Sequence, residues 1–307
     1  MIPVFGEVFG EPIPAYFALL MVGYTIAILF AAHLAKQLKL DKEIIIDLGL
    51  LSLIVGVAGG RILHVLADGY FWDYVHLCTD PAQVVWRTVS TAGECSHLSG
   101  TWIDAARECH AAERDCLAWA KFWNGGLAYY GGLLAVVPTS IWFLRRERFP
   151  VGIAADLAGV VAPIGIVFGR LGCFFGGCCF GLHTDGALGV SFPPYSPASE
   201  AQFRDGLLAS KALASLPVHP TQLYEAIGCA LIAVVTFHRL SRRTFDGQVF
   251  LVFLAAYSVL RVLIEYARAD DRGALAGLST SQWISLFILG GVAWMWQRLD
   301  TQPSQRS

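Results

Sequence analysis

Several charged residues of this sequence stand inside or beside long apolar stretches, where each costs roughly 2.5–3.5 kcal/mol on membrane-insertion scales and so needs a purpose. Arg61 follows Gly59-Gly60, Arg170 stands in Gly169-Arg170-Leu171-Gly172, and Glu225 follows His219-Pro220-Thr221-Gln222-Leu223-Tyr224. Arg261 and Glu265, four residues apart, share one helical face, and Arg268 adds a further turn. Paired with one another, such groups hold helices together. Arginine also presents a planar fork of donors that fits phosphate oxygens and stays charged when desolvated. Arginines converging between helices therefore point to an anionic ligand, and in a bilayer that is a phospholipid head group. Histidine is the side chain best suited to proton transfer near neutral pH, so His219 is a candidate general base, an orienting group, or a packing residue before Pro220.

Glycines crowd two places. Gly125-Gly126 and Gly131-Gly132 flank Tyr129-Tyr130, and Gly169, Gly172, Gly176, Gly177 and Gly181 fall within thirteen residues. Small residues admit either a neighbouring helix or a ligand close to the backbone. Five glycines so close together make a poor helix, so 169–181 is expected to be a break or loop lining a cavity. Cys173, Cys178 and Cys179 lie in the same segment. They can hold a metal, form a disulfide, accept a lipid group, or simply pack as small apolar side chains.

The elements that must position these groups are membrane spans. Of the 307 residues, 55% are hydrophobic and only 15% charged, and the mean hydropathy is +0.55. A soluble domain carries about one quarter charged residues, so this chain lacks the polar groups to clothe a wet surface. A net charge of −2 argues against nucleic acid as a partner. A span needs roughly 20 mostly apolar residues, and seven windows qualify or nearly so: 16–33, 44–66, 127–144, 153–168, 222–237, 249–266 and 281–296. The expected fold is an all-α polytopic membrane protein of about seven transmembrane helices, with residues 1–307 forming a single integral membrane domain. No charged region precedes the first apolar run, so a cleaved signal peptide is not expected.

Basic residues follow alternate spans: Lys36, Lys39 and Lys42; Arg145, Arg146 and Arg148; Arg239, Arg242 and Arg243; then Arg298 and Arg306. The positive-inside rule places the N-terminus outside and the C-terminus in the cytoplasm. Two longer outer loops result, at about 67–126 and 182–220. The first carries Cys78, Cys95, Cys109 and Cys116. An even number of cysteines outside the cytoplasm makes them disulfide candidates, with three possible pairings. The absence of a CxxC spacing weighs against a metal site there.

The segment Gly169-Arg170-Leu171-Gly172-Cys173-Phe174-Phe175-Gly176-Gly177-Cys178-Cys179-Phe180-Gly181 resembles the signature Gly-Arg-x-Gly-Asn-Phe-x-Asn-x-Glu-x-x-Gly of prolipoprotein diacylglyceryl transferases. Four further stretches are similar to that family in the same order. Tyr16 opens a first helix that continues through Gly23-Tyr24, and Leu127-Ala128-Tyr129-Tyr130-Gly131-Gly132-Leu133 resembles the segment containing His-Gly-Gly. His219-Pro220-Thr221-Gln222-Leu223-Tyr224-Glu225 is similar to His-Pro-Ser-Gln-Leu-Tyr-Glu. Arg261-Val262-Leu263-Ile264-Glu265-Tyr266-Ala267-Arg268 resembles Arg-x-x-x-Glu-Phe-x-Arg, followed by a matching Leu278-Ser279-Thr280-Ser281-Gln282.

The resemblance implies a seven-helix enzyme of the bacterial cytoplasmic (inner) membrane. Such an enzyme moves the diacylglyceryl group of phosphatidylglycerol onto the lipobox cysteine in the signal peptide of a preprolipoprotein. Its partners are membrane lipid and that peptide, and no cofactor or metal is expected. Arg170 and Arg261 are the candidates for holding the phosphate and stabilising its charge. His219 is a candidate base or orienting group, and Tyr130, which stands where the family has histidine, a hydrogen-bond donor. Tyr16, Arg61, Gly131, Gly132, Glu225 and Glu265 are candidate substrate-binding residues, the glutamates chiefly orienting the arginines. Cys173, Gly176 and Cys178 stand where the family has Asn, Asn and Glu, and a thiol supplies neither an amide donor nor a carboxylate charge. The other reading is a relative without this activity, a lipid-binding or thiol-dependent membrane protein.

Overall fold

The computed structural model describes residues 4–8, 11–86, 89, 92–97, 100–121, 126–269, 274–275 and 277–300. Gly125 and Arg306 lie outside them. β1 (Val4–Val8) pairs antiparallel with β2 (Glu11–Pro14), which runs directly into α1 (Ala15–Gln37). Next come α2 (Lys42–Ala67), α3 (Phe71–Thr79), α4 (Ala92–His97), the hairpin of β3 (Gly100–Ile103) and β4 (Glu108–Ala111), and α5 (Tyr129–Arg146). The chain continues through α6 (Val151–Gly176), α7 (Pro197–Arg204), α8 (Thr221–Leu240) and α9 (Gln248–Glu265). A short hairpin, β5 (Ala274–Leu275) with β6 (Leu278–Ser279), precedes α10 (Thr280–Asp300).

Each of the seven apolar windows is a helix, and among the described residues α1, α2, α6, α8 and α9 are long and apolar enough to cross a bilayer. Their burial pattern inverts that of a soluble protein. Leu29, Ile54, Leu231 and Leu263 are more than half exposed, whereas Asp156, Thr221 and Glu225 are fully buried. Apolar side chains turned outward around a polar interior fit lipid as the solvent. The protein is a mostly helical, multi-pass membrane protein, and the three hairpins are strand structure that hydrophobic periodicity did not disclose.

The chain forms two compact units, Met1–Ile46 with Phe149–Ser307, and Asp47–Arg148. In the first, α6 is central and packs against α1, α8 and α9, while α9 also packs against α10. Close approach explains Gly159 and Gly172. A Cβ at Gly159 would stand 2.8 Å from the Phe250 Cα, and one at Gly172 3.0 Å from the Tyr16 Cα. This corrects the expectation of a break over 169–181: the helix runs through Gly169 and Gly172 to Gly176, and the chain turns only at Gly177, whose φ is +69°. Tertiary contact with α1 outweighs the weak helix propensity of glycine.

At the opposite end of α6, buried Asp156 accepts hydrogen bonds from the backbone N–H of Gly247 (3.0 Å) and Val249 (2.8 Å). Its carboxylate also meets Arg243 Nε at 3.4 Å. One side chain thus caps the start of α9, whose first N–H groups have no partner within the helix.

The segment at 182–220 is folded. Phe192, Ala198 and Val218 are buried together against Phe174 and Phe180. Ser196 caps α7 through Ser199 N, and Gln202 bonds both the N–H and the carbonyl of Leu216.

In the second unit, α2 and α5 meet through glycines: a Cβ at Gly59 would stand 2.6 Å from the Gly131 carbonyl oxygen, and one at Gly132 3.1 Å from that of Gly56. Disulfides join Cys78 to Cys116 and Cys95 to Cys109. The latter links α4 to β4 in a small core with Val89, Trp86 and Trp102.

Candidate functional site

The carboxylate of Glu225, in the second turn of α8, is shared between two guanidinium groups from neighbouring helices. Arg170 on α6 reaches its Oε1 at 3.0 Å, and Arg261 on α9 reaches its Oε2 at 3.2 Å. Arg261 also meets Glu265 at 3.4 Å, and the Tyr257 hydroxyl donates to Glu225 Oε1 at 2.9 Å. Glu225 is fully buried and Arg261 nearly so, while the Arg170 side chain keeps 19% of its surface. Buried charge is tolerated only when paired and hydrogen-bonded, and here two arginines and two glutamates balance. A guanidinium carries five N–H donors, so these contacts fix both arginines and leave donors for a further oxygen ligand.

The cluster lies far from the Asp156 cap. Asp156 and Arg170 are fourteen residues apart on α6, which at 1.5 Å per residue is about 21 Å. Glu225 near the start of α8 meets Arg170 near the end of α6 and Arg261 near the end of α9 because α8 runs antiparallel to both.

Beside Arg170, the end of α6 brings three thiols together. The Sγ atoms of Cys173, Cys178 and Cys179 lie within 4.8 Å of one another. Gln222 Nε2 donates to the Cys178 carbonyl at 2.7 Å, and Thr221 Oγ1 to that of Cys179 at 2.8 Å, so the start of α8 fastens the turn. Arg170 is within electrostatic reach of Cys173 and Cys179, and Arg268 of Cys179. Tyr16, in the first turn of α1, packs over Gly172 in the same region.

His219 is placed differently. Its Nδ1 lies 3.2 Å from the Tyr224 hydroxyl, and its backbone N–H and carbonyl pair with Leu182 O and Gly181 N. The imidazole is therefore tied to Tyr224 rather than to the arginines. In the second unit, Arg61 donates to the carbonyls of Trp119 (2.6 Å), Ala118 (2.7 Å) and Gly126 (3.1 Å), and stacks over Tyr74. Those bonds give it a fastening role. Gly131 and Gly132 serve the α2–α5 approach, and half-exposed Tyr130 opens α5.

Two residues escaped the sequence reading. Tyr257 had a usable signal, for 257, 261 and 265 are spaced by four along α9 and fall on one face. Asp156 had only its charge inside an apolar run, and its partners are reached only through the packing of α6 against α9.

The family model described as prolipoprotein diacylglyceryl transferase matches residues 3–93 and 98–297. The chain is 25% identical over 291 residues to a phosphatidylglycerol–prolipoprotein diacylglyceryl transferase of Clostridium tetani, covering 94% of each chain. It is 26% identical over 293 residues to one from Clostridium perfringens, covering 94% of this chain and 92% of that one. It is 35% identical over 170 residues to one from Polynucleobacter necessarius, covering 53% and 57%.

Proposed function

The chain belongs to the prolipoprotein diacylglyceryl transferase family, and we propose that it transfers the diacylglyceryl group of phosphatidylglycerol to the thiol of a lipobox cysteine in a prolipoprotein. The observation that carries this reading is the buried cluster in which Glu225 holds Arg170 and Arg261 side by side. In the reaction the thiol sulfur bonds to the glyceryl carbon that carries the phosphate. The C–O bond breaks, its electron pair leaves on glycerol phosphate, and the thiol proton passes to a base.

Arg170 and Arg261 bind the phosphate and stabilise its growing charge, prepositioned by Glu225 and Glu265. His219 takes the proton or orients the acceptor, with Tyr224 fixing its ring. Tyr16, packed over Gly172, borders the bound lipid, and Tyr130 is a hydrogen-bond donor of the second unit. All seven helices cross the bacterial inner membrane as one integral domain, with α5 and α10 completing the set. The N-terminus and the segments at 67–126 and 182–220 lie outside, and the basic turns face the cytoplasm. This places the arginine cluster in the outer half of the bilayer, where an exported acceptor arrives.

The test is transfer of labelled diacylglycerol from phosphatidylglycerol to a lipobox peptide by the purified protein. Transfer by the parent that falls about 10²–10³-fold in Arg170→Ala is expected, as for removal of a donor to a developing anion. A folded preparation that binds phospholipid and transfers nothing overturns the reading in favour of a lipid-binding or thiol-dependent relative.

A further inference from the structure

We propose that Cys173, Cys178 and Cys179 form a three-thiolate site for a thiophilic divalent cation of the zinc class, with a fourth coordination position open to the acceptor thiol. Only the role of the fourth position rests on the transferase reading. Zinc takes thiolates at about 2.3 Å in a tetrahedron, which sets its sulfurs about 3.8 Å apart. The three Sγ atoms already lie within 4.8 Å of one another, so closing on an ion asks for movements of about 1 Å.

The backbone argues that this convergence is built. Adjacent cysteines in extended or helical chain diverge. Here Gly177 and Cys179 both adopt left-handed conformations, with φ of +69° and +61°. For a non-glycine residue that costs about 1–2 kcal/mol. Simple packing of small side chains has no need of it. The bonds from Gln222 and Thr221 to the two cysteine carbonyls hold the strained turn in place. Gln222 adds a second, independent observation. It is 1% exposed, and its Oε1 is a buried acceptor with no partner among the described residues. A water or thiol on a metal can supply the missing donor.

Charge also fits. Three thiolates on a divalent ion carry one net negative charge, and Arg170 and Arg268 lie near enough to Cys179 to offset it. On binding, each cysteine releases its proton to solvent and gives a sulfur lone pair to the ion, whose oxidation state does not change. An acceptor thiol displacing water at the fourth position does the same, and its sulfur is then held as the thiolate, the nucleophilic form.

The experiment uses the full chain in detergent, reduced with a phosphine, stripped by a chelator and titrated with Co2+ as an optical probe. One equivalent is expected, with a thiolate-to-cobalt band in the near ultraviolet that Zn2+ displaces. Cys173→Ser and Cys179→Ser weaken binding by more than about tenfold. Cys229→Ser, a free buried cysteine outside the trio, leaves it unchanged. A reduced parent that binds no cobalt overturns the site without reference to any variant, as does equal binding by parent and trio variants.

Adding a lipobox peptide to the cobalt form raises the thiolate band by about one third, three ligands becoming four. A peptide with serine in place of cysteine does not. An unchanged band overturns the open position, and so does undiminished transfer by the metal-free chain, which leaves the transferase reading intact. Cobalt binding without any transfer keeps the site and removes that reading.

Discussion

Glu225 carries two obligations with a single carboxylate, because Arg170 and Arg261 meet different oxygens of the same group. Removing one partner of a buried pair leaves an uncompensated charge and costs about 3–5 kcal/mol. Glu225→Ala is therefore expected to lower the free energy of unfolding in detergent by an amount in that range, and to abolish transfer. Arg170→Lys tests geometry against charge. A lysine keeps the positive charge but not the planar fork, so ion pairing survives while phosphate recognition is lost. Thermal stability near that of the parent with transfer as poor as in Arg170→Ala is the expected result; full transfer by the lysine variant would sink the role given to the fork. The arginines and glutamates were legible in the sequence because charge is conspicuous in apolar runs. That Glu225 bridges two helices was not, since the pairing joins residues 36 and 55 positions apart.

Among the elements, α6 and α9 are locked at one end by Asp156 and at the other by the Arg170–Glu225–Arg261 pairs. Losing a helix cap typically costs about 0.5–2 kcal/mol. Asp156→Ala should therefore destabilise the chain by at least that much in thermal unfolding, while the folded fraction transfers lipid at the parent rate. A selective loss of turnover instead would show that the cap reaches the chemistry. The seven apolar windows all became helices, because length and hydropathy determine that much. The run at 169–181 went the other way. Its glycines read as a break, yet Gly169, Gly172 and Gly176 lie in helix, and at Gly172 α1 packs so closely that a Cβ would meet the Tyr16 backbone, a contact that propensity does not contain. The convergence of Cys173, Cys178 and Cys179 was equally hidden, since it depends on the left-handed turn at Cys179.

For the whole molecule, the alternation of basic turns makes the topology testable. Single cysteines placed in the turns at 38–41 and 241–246 should react with a membrane-impermeant maleimide only after the cells are opened. One placed at Thr101, in the exposed β3–β4 hairpin, should react in intact cells. Labelling in the reverse sense would invert the proposed orientation. The disulfide Cys95–Cys109 closes a separation of 14 residues, for which the chain-entropy account gives about 3 kcal/mol. Replacing both with serine should make 92–111 the first site of proteolysis while the arginine cluster of the other unit stays intact.

The segment at 182–220 has a practical consequence. Its buried Phe192, Ala198 and Val218, packed against Phe174 and Phe180, and its paired backbone make it a folded segment rather than a slack tether. At Gly206 the segment has a glycine turn with φ of +74°, where an added Cβ would meet nothing within 4 Å. An epitope spliced there would display on the surface without disturbing the Phe192 cluster, turning this segment into a handle for pulling the intact protein out of its membrane.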